Sequence, residues 1–261
     1  MRKIGINFQQ FRELSDEDFV KKIAELGFGA TFCMLEPVKR QEELANLFVK
    51  YNIECETLHA PFNHINDMWL DCEGGERMLA ELKDCVDHCV IANASAMVVH
   101  LSSGPTPPSI TDIGRGRYEK LVDYAIKKNV KIAFENQRKT ANLAWAMETF
   151  DDEPMAGFCW DCGHEACAQN GREFMPWYGK KLICTHIHDN RGIQGADDHW
   201  IPFDGVINFE RFAQHIHNSG FTGSFMLEVG KSSKYDDLSV EVYLEKAACA
   251  VKRLVEMEQQ Q

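Results

Sequence analysis

The sequence has no long apolar run and no excess of basic charge. No stretch approaches the roughly 20 apolar residues that a membrane-spanning helix needs, and residues 1–7 lack the apolar segment of a signal peptide. The chain carries 28 lysines and arginines against 40 aspartates and glutamates, a formal net charge of −12. Because an acidic surface repels phosphate backbones, we do not expect the protein to bind nucleic acid. Because no long apolar segment is present, we expect a cytoplasmic protein that does not bind membranes.

A disulfide framework is also missing. The ten cysteines are scattered, and several lie inside apolar segments, as Cys33, Cys55 and Cys184 do. Such positions suit small buried side chains in a reducing compartment. Cys159 and Cys162 have C-x-x-C spacing, but no second pair follows, so a structural zinc knuckle is not expected.

What the sequence does contain is an alternation of apolar strands and helical segments. The predicted strands are Lys3–Phe8, Phe28–Met34, Ile53–His59, Ala96–His100, Lys131–Glu135, Gly157–Asp161, Leu182–Asp189 and Gly223–Val229. Helices are predicted to start near Ser15, Gln41, Glu73, Arg117, Asn142, Phe209 and Val240, with residues 171–180 helical or a loop.

Eight strand–helix repeats over 261 residues predict a single (β/α)8 TIM-barrel domain spanning residues 1–261. A doubly wound open sheet is the alternative. That fold would place a glycine-rich phosphate loop after its first strand, and Asn7-Phe8-Gln9-Gln10 is not one.

Ionisable side chains recur at the carboxyl ends of the predicted strands, where TIM barrels carry their chemistry. Strands three to eight each deliver at least one, and the loop after strand seven adds two more. The set is His59, His100, Glu135, Asp161, His164, His186, His188, Asp197, His199 and Glu228. Three other histidines, His88, His215 and His217, fall on helices, where we expect them to be solvated.

Four members of this set have the chemistry of a divalent-metal site. Glu135, Asp161, His186 and Glu228 combine three carboxylates and one imidazole, which suits Mn²⁺, Mg²⁺, Co²⁺ or Zn²⁺. Structural alternatives stay open: internal salt bridges for the two glutamates, a helix cap for Asp161 and a surface position for His199. We expect Gly163 to let the chain turn, so that Asp161 and His164 both point inward.

The chain resembles the xylose-isomerase-like TIM-barrel superfamily, which includes sugar and sugar-phosphate isomerases and epimerases and the endonuclease IV family. The motifs that carry the resemblance are Phe134-Glu135-Asn136, Trp160-Asp161-Cys162-Gly163-His164, His186-Ile187-His188-Asp189 and the segment Asp197–Gly205. The match covers nearly the whole chain, from His59-Ala60-Pro61 through Glu228.

The resemblance to the ketose 3-epimerases implies one divalent ion, often Mn²⁺, held by Glu135, Asp161, His186 and Glu228. It also implies substrate contacts for His164 and for an arginine near Arg191. The second glutamate that those epimerases carry six residues after the first is Ala141 here.

The resemblance to endonuclease IV implies three zinc ions. Nine ligands can be matched: His59, His100, Glu135, Asp161, His164, His186, Asp197, His199 and Glu228. The net charge of −12 and the lack of basic loops favour the sugar enzymes over this alternative.

We therefore predict a metal-dependent sugar or sugar phosphate isomerase or epimerase, with one divalent ion, Mn²⁺ first among the candidates. Glu135 and Glu228 would transfer a proton next to the substrate carbonyl through an enediolate. The residues expected to bind substrate are His59, His100, His164, His188, Arg191, Asp197 and His199. A dehydratase acting on an inosose or other ketosugar, and a binding module without turnover, are alternatives. The expected partner is a small carbohydrate, and a homo-oligomer is compatible with the sequence.

Overall fold

The computed structural model describes residues 2–169 and 171–261. Its strands are β1 (Ile4–Asn7), β2 (Ala30–Met34), β3 (Glu54–His59), β4 (Ala96–His100), β5 (Lys131–Glu135), β6 (Ala156–Asp161), β7 (Leu182–His186) and β8 (Phe225–Leu227). Its α-helices are α1 (Asp16–Glu25), α2 (Val38–Lys50), α3 (Glu73–Ala92), α4 (Asp112–Lys127), α5 (Thr140–Thr149), α6 (Cys162–Ala168), α7 (Met175–Tyr178), α8 (Phe209–Ser219) and α9 (Val240–Gln259). Short 3₁₀ helices cover Ile65–Trp69, Gly179–Lys181 and Ser233–Tyr235.

The strands form one eight-stranded sheet in the order β7-β6-β5-β4-β3-β2-β1-β8. Every pair whose register is described is parallel. A parallel bridge between Ile187 and Leu227 also joins the chain after β7 to β8. This cyclic strand order, with helices between the strands, is that of a (β/α)8 TIM barrel, so the predicted fold class is confirmed.

The chain divides into two compact units. The first unit comprises Met1–Phe32, Asn46–Glu54 and Trp160–Gln261, and the second comprises Cys33–Ala45 and Cys55–Cys159. Each contains its own run of parallel strands. The prediction of a single domain over the full length stays a prediction.

The first unit is built around β1, which pairs with β2 on one side and with β8 on the other. Its outer layer packs through aromatic side chains. The rings of Trp160 and Phe212 stack with their centroids 4.7 Å apart, which holds α8 against the end of β6. This contact fixes the position from which the segment after β6 starts.

The second unit is built around β4, which pairs with β3 and with β5. Several backbone carbonyl groups in residues 67–72, before α3, accept hydrogen bonds from the buried guanidinium of Arg117. Its Nη1 donates to the carbonyls of Asp67, Met68 and Leu70, and its Nε pairs with Glu76. One side chain from α4 therefore anchors a segment that has little regular structure of its own.

Most predicted element boundaries agree with the structure to within two residues, and β4 and β5 agree at both ends. Helix α4 begins five residues before the predicted start, because the Thr111 hydroxyl accepts a hydrogen bond from Gly114 N and caps an earlier turn. Helix α6 was not predicted. Within residues 171–180, which were predicted to be helical or a loop, the α-helix is restricted to α7 and a 3₁₀ helix begins at Gly179.

No α-helix or 3₁₀ helix in the described part of the chain is both long and apolar enough to cross a bilayer.

Candidate metal and substrate site

The carboxyl end of β6 leads directly into α6, and Asp161 occupies the junction. Its Oδ1 accepts a hydrogen bond from the backbone N–H of His164 at 2.6 Å, so Asp161 is the N-cap of α6. The same carboxylate lies 3.4 Å from His164 Nδ1 and 3.1 Å from His188 Nε2. The capping role that the sequence left open is therefore real, and it coexists with two imidazole contacts.

Gly163 allows this close approach of His188. A Cβ atom at position 163 would lie 1.9 Å from Cε1 of His188, which no packing adjustment short of moving the ring would relieve. Gly163 lies in the first turn of α6 and has no positive φ. The predicted reason for the glycine, a chain turn, was wrong: the position needs a residue without a side chain.

The end of β7 supplies His186, and the segment after it supplies His188. His186 is fully buried; its Nδ1 lies 3.2 Å from Oε2 of Glu228, and its ring stacks on Phe32 with centroids 4.6 Å apart. In the first unit, the candidate ligand atoms of Asp161, His186 and Glu228 all lie within 4.8 Å of one another. One cation could contact all three residues.

Asp197 and His199 extend this cluster from the loop after β7. Asp197 Oδ2 is 3.0 Å from His164 Nε2, and Asp197 Oδ1 is 3.5 Å from His199 Nε2. The imidazole of His199 also stacks on that of His188, with ring centroids 4.1 Å apart. Although it lies in a loop, His199 belongs to the cluster.

Backbone carbonyls define which nitrogen of two histidines carries hydrogen. His199 Nδ1 donates to the carbonyl of Glu228 at 2.9 Å, and His188 Nδ1 donates to the carbonyl of Asp189 at 3.4 Å. In the neutral tautomer each Nε2 then presents a lone pair to a carboxylate, that of Asp197 or of Asp161. Two facing lone pairs repel, so a proton or a metal ion has to lie at these positions, and carbonyl-bound imidazoles are typical of metal ligands.

The pKa values of the loop pair show the same charge pattern. Burial alone would lower the pKa of His199, but the carboxylates of Asp197 and Glu228 outweigh it and raise that pKa to about 10. Burial would raise the pKa of Asp197, but hydrogen bonds from His164 and His199 hold it well below its usual range. The cluster thus binds positive charge strongly.

In the second unit, His59 and His100 lie beside the buried carboxylate of Glu135. Glu135, 1% exposed at the end of β5, lies 2.5 Å from His100 Nε2 and 3.5 Å from His59 Nε2. His59 Nδ1 donates to the carbonyl of Ala60 at 2.8 Å, and Phe62 stacks on the ring of His100. This unit therefore presents a second buried cluster of carboxylate and imidazole.

Arg191 is the one predicted site residue that the structure turns away from these clusters. Its guanidinium pairs in a bidentate manner with Asp198, and its side chain is 53% exposed. The predicted substrate contact of Arg191 is not tested by this geometry and stays a prediction. The expectation of solvated helical histidines was wrong for His88, which is buried in α3, whereas His217 is exposed.

Sequence analysis named Asp189 within a motif but assigned it no role, and this residue fixes the loop that carries Asp197 and His199. The buried Asp189 carboxylate accepts hydrogen bonds from the backbone N–H groups of Asn190, Gly205 and Ile207. It therefore joins the two ends of the segment 190–207. The recurrence of Gly and Asp residues near both ends of this segment was the signal in the sequence that could have indicated the anchoring.

The family pattern described as "Xylose isomerase-like TIM barrel" matches residues 20–251, and the chain belongs to this family. A curated relative, "Uncharacterized protein y4fM" of Sinorhizobium fredii (strain NBRC 101917 / NGR234), is 30% identical over 150 residues, or 57% of this chain. The chain spans 46% of the length of that relative.

Solved structures of the same fold include "D-tagatose 3-epimerase-like protein", with a TM-score of 0.78 at 22% identity, covering 99% of this chain and 98% of the other. The "IOLI protein with a binding zinc atom" has a TM-score of 0.78 at 18% identity and the same coverage of 99% and 98%. The "3-keto-D-glucoside 4-epimerase, YcjR, from E. coli, apo form" has a TM-score of 0.75 at 14% identity, covering 98% and 100%. At these identities the likeness shows the fold.

Proposed function

We propose that the protein is a divalent-metal-dependent isomerase or epimerase of a sugar or sugar phosphate. The observation that carries the proposal is the trio of buried Asp161, buried His186 and half-buried Glu228, whose ligand atoms all lie within 4.8 Å of one another. Two of the similar structures are named as epimerase or epimerase-like proteins, and a third is named for a bound zinc atom. These names agree with a metal site and with carbohydrate chemistry.

We propose Glu135 as the fourth ligand. In the parallel pairing of β5 with β6, Glu135 lies opposite Cys159. Glu135 and Asp161 are each the last residue of a strand, and functional groups of TIM barrels lie at the carboxyl ends of the strands. Three carboxylates and one imidazole favour a hard divalent ion, and Mn²⁺ is our first candidate, with Mg²⁺, Co²⁺ and Zn²⁺ as the others.

The chemistry we propose is proton transfer next to a carbonyl group. A divalent ion bound by these four residues supplies a Lewis acid for the substrate carbonyl and the adjacent hydroxyl. One of the carboxylates of Glu135 and Glu228 removes the proton from the carbon next to the carbonyl, leaving an enediolate. The other returns a proton, to the opposite face in an epimerase or to the neighbouring carbon in an isomerase.

The surrounding histidines would bind and orient the substrate hydroxyls. His164 and His188 are both positioned by contacts with Asp161, so their rings are fixed before substrate arrives. Asp197 and His199 would bind substrate from the loop after β7. We also propose His59 and His100 as substrate-binding residues. We include Arg191 because its position on the exposed loop suits a substrate phosphate or terminal hydroxyl.

We further propose a cytoplasmic location and a small carbohydrate as the partner. All ten cysteines carry free thiols. Buried pairs such as Cys33 and Cys55, whose sulfurs lie 4.0 Å apart, suit a reducing compartment.

Metal analysis combined with a substrate panel tests the proposal. We expect about one divalent ion per purified chain, loss of turnover of the active ketose or ketose phosphate after chelation, and recovery on adding Mn²⁺. Asp161→Asn should weaken metal affinity strongly, because a charged ligand is lost, whereas the exposed Asp237→Asn should leave it unchanged. Full turnover in the chelated protein, or unchanged metal affinity in Asp161→Asn, would contradict the assignment.

A zinc phosphodiesterase of the endonuclease IV type is a second candidate, and one observation favours it. Carboxylate–histidine contacts occur on Glu135, with His59 and His100, and also on Asp197, with His164 and His199. Each group has the donors for an additional metal ion. Three zinc ions per chain, together with nicking of an abasic duplex, would establish this candidate in place of the sugar enzyme.

A further inference from the structure

The first unit contains a cavity of about 350 Å³ beside α6 and α8. Polar groups on its wall include Glu165 from α6, Arg172 and Glu173 from the following segment, and Arg211 and His215 from α8. None of the residues that we predicted to bind metal or substrate is among the described residues that line it. The cavity is therefore a second place where a ligand could bind.

Glu165 is the most deeply placed of these groups. Its Oε2 accepts hydrogen bonds from Trp160 Nε1 at 3.2 Å and from Phe174 N at 2.8 Å. Burial raises its pKa to about 7 despite these two donors. Because both bonds go to one oxygen, the carboxyl group keeps capacity for a ligand on the other.

Glu173 and Arg211 form a bidentate ion pair across the cavity wall. Nε2 of His215 is buried and, within residues 2–169 and 171–261, forms no hydrogen bond; the nearest carboxylate oxygen, Glu173 Oε1, is 3.5 Å away. This contact is longer than a good hydrogen bond, so a ligand group that bonds to Nε2 at a shorter distance would gain free energy.

The wall contains both hydrogen-bond donors and acceptors: the carboxyl groups of Glu165 and Glu173 and the guanidinium groups of Arg172 and Arg211. A hydroxyl group both donates and accepts hydrogen bonds, so it can satisfy carboxyl, guanidinium and imidazole groups alike. The volume is near the lower end of the range for small-molecule sites.

From these observations we propose that the cavity binds a small neutral polyhydroxylated ligand, a sugar or polyol, through Glu165, Arg211 and His215. The proposal does not depend on the metal site, because it uses other residues and other space. It makes the protein a carbohydrate binder at two separate positions.

The indole N–H of Trp160 reports on this cavity, because it donates to Glu165. In ¹⁵N-labelled protein the five tryptophans give five indole signals, and Trp160→Phe identifies the one from Trp160. We expect titration with myo-inositol or D-glucitol to shift this signal in a saturable manner across the millimolar range. Glu228→Gln, which damages the proposed metal site, should leave the titration unchanged.

A matched pair of variants in α6 tests the position of the ligand. Ala166 lines the cavity and Ala168 does not, and both are partly exposed. Ala166→Leu should weaken binding by at least about tenfold, about 1.4 kcal/mol, while Ala168→Leu should bind like the natural chain. His215→Leu, which removes Nε2, should also weaken binding. It replaces Ala166→Leu as the test if Ala166→Leu does not fold.

Three results would overturn the proposal. One is the absence of any saturable shift of the Trp160 signal with either polyol. Another is binding by both Ala166→Leu and His215→Leu that is as tight as binding by the natural chain. The third is a saturable shift with methylammonium or with inorganic phosphate but not with the polyols, which would show a site for ions instead.

Discussion

Glu228 combines two roles at a single residue, since we propose it both as a metal ligand and as one half of the proton-transfer pair. Its carboxylate lies 3.2 Å from His186, and its own backbone carbonyl holds His199. A glutamine at this position keeps the size and one ligating oxygen but removes the base. The substitution therefore separates chemistry from packing.

We expect Glu228→Gln and Glu135→Gln each to fold normally and to lose turnover by at least about 10²-fold, the usual contribution of general acid–base catalysis. The exposed Glu210→Gln on α8 is the control and should keep full turnover. The measurement is the steady-state rate with the substrate found in the panel. Turnover at the natural rate in either variant would remove that residue from the proton-transfer pair.

Gly163 gives a second prediction for a single residue. Since a Cβ there would overlap the ring of His188, Gly163→Ala should displace that imidazole and cost about 1–3 kcal/mol in unfolding free energy. Activity should fall with it. Gly116→Ala is the matched control, because it is also helical and has nothing within 4 Å of the added carbon; it should stabilise α4 by about 0.5–1 kcal/mol. Denaturant unfolding of the two variants measures the contrast.

The elements themselves were predictable where the apolar pattern is long or has clear ends. Strands β4 and β5 are short apolar runs that end at His100 and Glu135, and both boundaries were predicted. Helix α6 was missed because its seven residues give less than two complete hydrophobic turns and include Gly163. A helix cap was considered for its N-cap, Asp161, but no helix was predicted after it.

Arg117 gives a prediction at the scale of elements, because its side chain connects α4 to the segment before α3. It is 2% exposed and donates to three backbone carbonyls. Arg117→Met should lower the unfolding free energy by at least about 2 kcal/mol, because buried carbonyls lose their donor. The exposed Arg115→Met on the same helix should change it by less than about 0.5 kcal/mol. Equal stability of the two variants would contradict the anchoring role.

At the scale of the whole molecule, the net charge of −12 makes a prediction about partners. Polyanions are repelled by a strongly acidic surface, so we expect no sub-micromolar affinity for an abasic DNA duplex at about 0.15 M salt. Fluorescence anisotropy measures this directly. Tight binding or strand cleavage would support the phosphodiesterase instead. We would then expect three bound zinc ions per chain and not one.

The clustering of Asp161, His186 and Glu228 was predictable from the whole-chain pattern, whereas the detailed contacts around them were not. The alternation of strands and helices was enough to predict that His186, Asp161 and Glu228 lie at the carboxyl ends of their strands. The contacts of Asp197 and His199 depend on a long loop, and nothing in the apolar pattern determines how a loop folds back. The burial of His88 was missed for a related reason: helix periodicity does not say how deeply a polar position packs.

The Asp189 carboxylate has a consequence for how this protein can diversify. It holds both ends of the segment 190–207 in place, so exposed positions between those ends need not contribute to this anchoring. An exposed position such as Ile193 can accumulate substitutions at little cost in folding. New substrate preferences can therefore arise by drift at the tip of this loop, while the acid–base and ligand residues on the strands stay under separate selection.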